Sequence, residues 1–139
     1  MGELQIAYQF QSMHSVKSWE EALYKATSQL IHEKIVSANY LKDIVEEINK
    51  SGSYMALSHD TVVFHARPSE YVFKEFISYM TLEEPIHYFD KVIHHVFVFG
   101  ARTEDFHLAL LSKISTFLTA ASSDEALLTL PNIKAWFNA

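Results

Sequence analysis

The chain reads as an α/β protein, a mixed β-sheet of about five strands sandwiched between helices in three layers (α/β/α). Three observations predict this. Apolar residues recur at helical spacing in the first and last thirds of the chain. Between them lies a block of β-branched and aromatic runs separated by turn residues. The run Val92–Phe99 is apolar at nearly every position, which suits a central strand covered on both faces. At 139 residues, one domain spanning 1–139 is expected, long enough to bury a real core.

The elements follow in order. Residues 1–17 are polar with scattered aromatics and read as a short strand or a docked arm. Ser18 opens a helix, with Glu21 three residues on to complete a capping box and Trp19, Ala22, Leu23, Ala26 and Leu30 as its apolar stripe. Ser37 caps a second helix, whose face is Tyr40, Leu41, Ile44, Val45 and Ile48 and whose stop is Gly52. Tyr54–Leu57 and Thr61–Phe64 read as short strands joined by a turn at Ser58-His59-Asp60. Pro68 breaks the chain after His65. Phe76–Met80 and Ile86–Phe89 are further strand segments, and Val92–Phe99, closed by Gly100, is the strongest. Thr103 caps a long helix, with Glu104 and Asp105 at its positive end and His107, Leu110, Leu111, Ile114, Phe117 and Leu118 on one stripe. Ser122 and Glu125 form a second capping box that should open another helix, and Pro131 suits the first turn of a short last one.

Composition excludes whole classes. With no cysteine there are no disulfides, iron–sulfur ligands, cysteine zinc sites or thiolate nucleophiles. Seventeen acidic against 11 basic residues give a net charge of −6, and no Lys/Arg cluster is present, which argues against nucleic acid as a partner. No apolar run approaches the ~18 residues of a transmembrane span, and Met1-Gly2-Glu3-Leu4-Gln5 resembles neither a signal peptide nor a convincing myristoylation site. A cytoplasmic protein is expected.

The outlier is eight histidines. His14, His32, His59, His87, His94 and His95 have no spacing that selects a role, and each reads as polar surface or a satisfied buried imidazole. Neighbours His94 and His95 on a strand point to opposite faces, so they do not easily share a metal. No His-x-x-x-His or His-Glu-x-x-His pair exists, which leaves a hydrolytic zinc centre as the weakest reading, and no metal or other cofactor is expected. His65 differs, because it ends a β-rich run before Ala66-Arg67-Pro68 and is therefore both fixed and reachable. Arg67 supplies a permanent cation suited to phosphate, although its side chain could equally face solvent. His107 sits in the first turn of a helix on its apolar stripe. There it is either a core-edge histidine bonded to backbone or a donor to an anion held at the helix N-terminus.

One ordered set of residues carries a resemblance. Trp19-Glu20-Glu21-Ala22, Tyr40, Gly52-Ser53-Tyr54-Met55-Ala56-Leu57, His65-Ala66-Arg67-Pro68 and Phe106-His107-Leu108 with Leu110-Leu111 together resemble the enzyme IIA component of the phosphoenolpyruvate-dependent sugar phosphotransferase system. The similarity is to the mannitol/fructose type, most of all its ascorbate-like branch, and spans roughly residues 18–137. It implies a mixed sheet between helices. It also implies that the phosphocarrier protein HPr donates a phosphoryl group to IIA, which passes it to a cysteine of IIB. His65 stands at the family's phosphorylated histidine and His107 at its second active-site histidine. Arg67 would add charge stabilisation as a phosphate-binding residue. IIB would be a separate chain, because this one reads as ending soon after its last helix and holds no cysteine. The membrane would be met only through the IIC component.

Two positions depart from the family's Gly-x-Ala-Leu-Pro-His-Ala. Asp60 replaces the glycine, adding negative charge close to where the phosphoryl group must arrive. Phe64 replaces the proline and restores an N–H. Such departures keep a second function open, that of a IIA-like regulatory module whose phosphate is a signal to transcription and not cargo. The surface just past the active loop, Glu70, Tyr71 and Phe73, is either a docking patch for HPr or core packing.

Overall fold

The computed structural model describes residues 4–57 and 60–138. Residues 58 and 59 of the expected turn, the first three residues read for targeting signals, and residue 139 lie outside these. The order is β1 (Ala7–Met13), α1 (Trp19–His32), α2 (Ala38–Ser51), β2 (Ala56–Leu57), β3 (Thr61–Phe64), β4 (Phe76–Tyr88), β5 (Lys91–Gly100), α3 (Glu104–Ser123) and α4 (Leu130–Phe137). The five strands form one sheet in the order β1-β4-β5-β3-β2. β1 runs parallel to β4 and β3 parallel to β5, whereas β4–β5 and β2–β3 are antiparallel. The mixed three-layer architecture is the one the sequence predicts.

Alternation along the strands divides the core in two. Val62, Phe64, Val96 and Val98 face α1 and α2, where they meet Ala22, Leu23, Ala26, Tyr40 and Ile44. Val63, Phe97 and Phe99, with Ile77 and Tyr79, face α3 and α4, against Leu110, Ile114, Phe117 and Ile133. β5 is thus central, and its second half, Val96–Gly100, is covered on both sides, whereas Val92, which the sequence places in the covered run, is exposed. Each fully buried Phe on β5 is worth roughly 1.5–3 kcal/mol of apolar burial, enough to make this strand the anchor of both layers.

The helix starts follow their caps. Ser18 Oγ accepts from the Glu21 amide at 3.2 Å, and Glu21 accepts from the Lys17 amide at 3.1 Å, one residue earlier than a capping box requires. Ser37 Oγ accepts from the Asn39 amide. Gly52 ends α2 with φ −74°, so its glycine is not there for a left-handed turn. A Cβ would lie 2.8 Å from the Tyr88 hydroxyl and 2.9 Å from Ile48 Cβ, and close approach is the reason.

Three expectations are corrected. Residues 54–57 do not form one strand: a 3-10 turn over Gly52–Met55 continues α2, Ala56 N–H donates to the Ser53 carbonyl, and only Ala56–Leu57 pair with β3. The segments 76–80 and 86–88 are one strand, β4, with Phe89 in the turn beyond it at φ 56°, and the strand is interrupted by a register shift between Thr81 and Ile86. Glu83, Glu84 and Pro85 sit in that irregularity, where a proline is tolerated. The second capping box does not form. α3 runs through Ser122, whose hydroxyl donates to the Thr119 carbonyl, because Leu118 and Ala121 keep the helix's inner stripe buried. Asp124 instead caps a 3-10 turn over Glu125–Leu127. Pro131 lies in the first turn of α4 as expected. Among the described residues, no helix is long and apolar enough to cross a membrane.

Candidate active site

Parallel pairing of β3 with β5 decides where the two distinctive histidines go. Their carboxyl ends lie at the same edge of the sheet, with Phe64 in register with Val98. His65 follows β3 directly. β5 ends at Gly100, and three residues later Thr103 caps α3, its Oγ1 accepting from the Phe106 amide at 3.2 Å. One turn into α3 lies His107, whose N–H donates to the Thr103 carbonyl. The two imidazole centres come within 5.7 Å. They flank one cleft of about 400 Å³, lined also by Glu47, Tyr54, Arg67, Pro68 and Glu104.

Phe99 is the platform. Its ring stacks under His65 at 5.0 Å and 16° and meets His107 at 5.1 Å. Tyr54 closes the other side, edge-on to His65 at 5.8 Å. The loop after His65 is tied down by Tyr40, which is buried on α2. Its hydroxyl accepts from Ala66 N–H at 3.0 Å and donates to the Phe99 carbonyl at 2.9 Å, with the Ala66 carbonyl at 3.2 Å. The start of α3 is fixed by Glu75, a buried carboxylate that accepts from the Arg102 amide at 2.7 Å and from its guanidinium at 3.2 Å.

Hydrogen bonding assigns the tautomers. His65 Nδ1 is 2.9 Å from the Val63 carbonyl, which can only accept, so Nδ1 carries the proton and Nε2 keeps its lone pair. Among the described residues the buried His107 Nδ1 has no hydrogen-bond partner. A proton there would be a donor without an acceptor, so the proton belongs on Nε2, the nitrogen left to the cleft. Burial pushes both imidazoles below the ordinary histidine pKa. For His65 the Val63 bond opposes this, His107 adds to it, and Glu47 opposes it. For His107 Glu104 opposes it. Both rings are neutral at pH 7. One offers a lone pair and the other an N–H donor, an arrangement that can take an electrophile on one side and hold an anion on the other.

Arg67 is exposed and lines this cleft as well as a neighbouring one of about 450 Å³ that contains Asp43, Glu46, Glu47, Lys50 and Ser69. Glu70, Tyr71 and Phe73 do not line the histidine cleft. Phe73 is exposed, its amide bonded to the Ile35 carbonyl, and Tyr71 packs on the core. Tyr54, which lines the cleft, and Leu108, next to His107 in the chain, are exposed apolar side chains. The other described histidines stay apart from the cleft. His14 pairs with Glu83, His94 bonds the Leu82 carbonyl, and His95 meets the Tyr79 hydroxyl at 2.7 Å. Among the described residues no three His, Asp or Glu side chains group to hold a metal.

Asp60 corrects an expectation. It sits at the start of β3, with φ 55°, while His65 follows its end. Five residues of extended chain separate them by about 16 Å, so its charge is not close to the cleft. Its carbonyl accepts from the His94 and His95 amides instead. Sequence reasoning did not single out Glu47, Phe99 or the Tyr40 hydroxyl as site residues.

The protein is thus an α/β/α sandwich that brings two neutral histidines, one after β3 and one in the first turn of α3, to one cleft. The chain belongs to the family described as "Phosphoenolpyruvate-dependent sugar phosphotransferase system, EIIA 2", which matches residues 7–138. It is 27% identical over 124 residues to the mannitol-specific cryptic phosphotransferase enzyme IIA component of Escherichia coli, covering 88% of this chain and 84% of that one. A solution structure under that name superimposes with a TM-score of 0.76, covering 86% and 82% of the two chains. An ascorbate-specific EIIA component of Mycoplasma pneumoniae is 29% identical over 76 residues, 55% of this chain and 47% of that protein. The mannitol IIA of Escherichia coli, solved in complex with phosphorylated mannitol IIB, shares the fold at 16% identity and a TM-score of 0.73, covering 91% and 92% of the two chains. Both the mannitol and the ascorbate types expected from the sequence are among these relatives.

Proposed function

We propose that the protein is a phosphocarrier that accepts a phosphoryl group from phospho-HPr on His65 and passes it to a cysteine of a separate IIB chain during uptake of a sugar or sugar acid. The observation that carries this reading is the neutral His65–His107 pair on one open cleft, in a chain of the EIIA 2 family. Docking of a IIB partner is supported by the complex of the structurally similar mannitol IIA. The protein would work in the cytoplasm and reach the membrane only through IIC.

The step needs no cofactor. His65 Nε2 attacks phosphorus in line; the P–Nε2 bond forms from the imidazole lone pair while the bond to the donor atom breaks, its electron pair leaving with the donor. His65 keeps its Nδ1 proton, and the Val63 carbonyl stabilises the positive character that develops on the ring. His107 donates from Nε2 to the phosphoryl oxygens, Arg67 adds charge from the rim, and the rigid Phe99 face holds the nucleophile in line. Onward transfer reverses these roles.

Incubation with phosphoenolpyruvate, enzyme I and HPr should place an acid-labile, base-stable phosphate on the wild type and none on His65→Ala. A wild type that takes no label overturns the proposal. Transfer of the label to a IIB cysteine distinguishes a carrier from a regulatory module, which would keep it.

A further inference from the structure

The cleft that receives the phosphoryl group is not built only to welcome it. Glu47, on the last turns of α2, is half-buried and lines the wall it shares with His65, while Glu104 lines the opposite side at the start of α3. Arg67 is the single cation among the lining residues, so the cleft carries a formal charge of −1 before any phosphate arrives. Glu47 makes no hydrogen bond or ion pair within the described residues that would neutralise it. Asp43 and Glu46, on the same helix, line only the adjoining cleft, together with the cations Lys50 and Arg67.

We propose that Glu47 sets the phosphoryl-transfer potential of His65: its carboxylate destabilises the phosphorylated state relative to the free one and so biases the protein toward giving the group up. This inference rests on the phosphocarrier reading above. When His65 Nε2 takes up a phosphoryl group and Nδ1 keeps its proton, the site gains one negative charge, and more if that proton is later lost. A like charge in the same half-buried cleft opposes that gain. The same carboxylate favours the protonated imidazole, as the smallest of the influences on that ring after burial, the Val63 bond and His107. Helix geometry holds Glu47 in place, because Ile44 and Ile48 on either side of it are buried. Glu104 is exposed, and its charge is screened by water. For a like charge lining the same partly solvated cleft, Coulomb's law predicts a shift of roughly three- to tenfold in the equilibrium.

The test is the partition of phosphate at equilibrium between purified HPr and this chain, with Glu47→Gln against wild type. Glutamine keeps the shape and removes the charge. The expected result is a three- to tenfold shift toward the phosphorylated chain in Glu47→Gln and a smaller shift in Glu46→Gln, which lies outside the histidine cleft. The Glu47→Gln shift should shrink as salt is raised from 20 mM to 500 mM (about 20 Å to about 4 Å screening length). Glu47→Ala provides a second variant with the same expected direction. An unchanged partition, a shift toward HPr, or a shift that ignores salt would overturn the role of Glu47. If the wild type itself takes no phosphate, it is the underlying phosphocarrier reading that fails.

Discussion

Replacing Tyr40 by Phe tests how the nucleophile's loop is held. The Tyr40 hydroxyl is fully buried and links two chain segments 26 and 59 residues away, accepting from Ala66 N–H and donating to the Phe99 carbonyl. Phenylalanine fills almost the same space, so no cavity term enters. What is lost is the partner of a buried N–H, worth ~1–3 kcal/mol, together with one bond to a carbonyl, worth ~1 kcal/mol. The sum is about 2–4 kcal/mol. At ~3 °C per kcal/mol for a chain of this size, the melting temperature should fall by ~6–12 °C in a calorimetric or circular-dichroism melt. Burial holds the Tyr40 phenol well above its ordinary pKa, so ionisation does not intrude at any working pH. The initial rate of His65 phosphorylation, measured well below the new melting temperature, should fall ~10-fold, because Ala66 follows the nucleophile and a loosened loop loses alignment. A melting temperature within 2 °C of wild type would refute the reasoning, since it would mean that the buried amide found another acceptor at no cost.

Three other perturbations test the remaining parts of the site and fold. His107→Ala should still accept phosphate but about 10²-fold more slowly, and His107→Gln, which restores an N–H donor, should recover part of the loss in the same radiolabel assay. Burial lowers the pKa of both His65 and His107, so the unfolded chain binds more protons than the folded one just below pH 6.5. Stability is therefore unaffected above about pH 7.5 and falls as pH drops through 6.5 toward the folded-state values. The melting temperature of wild type should drop more between pH 7.5 and 5 than that of the His65→Gln/His107→Gln double variant. His14, whose pKa is raised by its bond to Glu83, is present in both proteins and cancels from the comparison. Gly52→Ala should cost ~1–3 kcal/mol in urea denaturation, because the new methyl would meet the Tyr88 hydroxyl and Ile48 below 3 Å.

The sequence made the elements legible where one physical signal acted alone. Ser37 before an amphipathic run and β5 as a strand needed no tertiary information, although only its second half, Val96–Phe99, is covered on both faces. It failed where packing outvoted local chemistry. Ser122 with Glu125 is a correct capping pattern, yet the buried Leu118 and Ala121 carry α3 past it. Phe76–Met80 and Ile86–Phe89 read as two separate segments, yet both halves of β4 pair with β5 and keep the strand whole. For the site, His65 and His107 were visible as addresses, a strand end and a helix start. Their meeting was not, because it depends on β3 and β5 being adjacent and parallel across the 26 intervening residues 65–90, as the register Thr61 with His95 and Phe64 with Val98 shows. Phe99 was legible as core and Glu47 not at all as part of the cleft, since a helical flank position acquires meaning only from what the helix packs against.

The same geometry separates the two departures around His65 from the reacting face. Phe64 points to the α1–α2 side, against Trp19 at 6.1 Å and Tyr88 at 5.5 Å, whereas His65 stacks on Phe99 on the α3 side. Its larger ring therefore fills core and leaves the cleft alone, and its amide stands in the ladder position opposite Val98. Asp60 lies about 16 Å away at the other end of β3, where even an unscreened unit charge in water contributes only ~0.3 kcal/mol, and where the distance exceeds the ~8 Å screening length at physiological salt. Asp60→Gly should therefore leave the HPr partition within twofold of wild type. Its effect on folding combines two opposing terms of ~1 kcal/mol each: relief at a residue with φ 55° and a larger entropy loss for glycine. The melting temperature should move by less than 3 °C. A large change in phosphate partition with unchanged stability would mean that charge at Asp60 is felt at His65 by a route the sheet geometry does not provide.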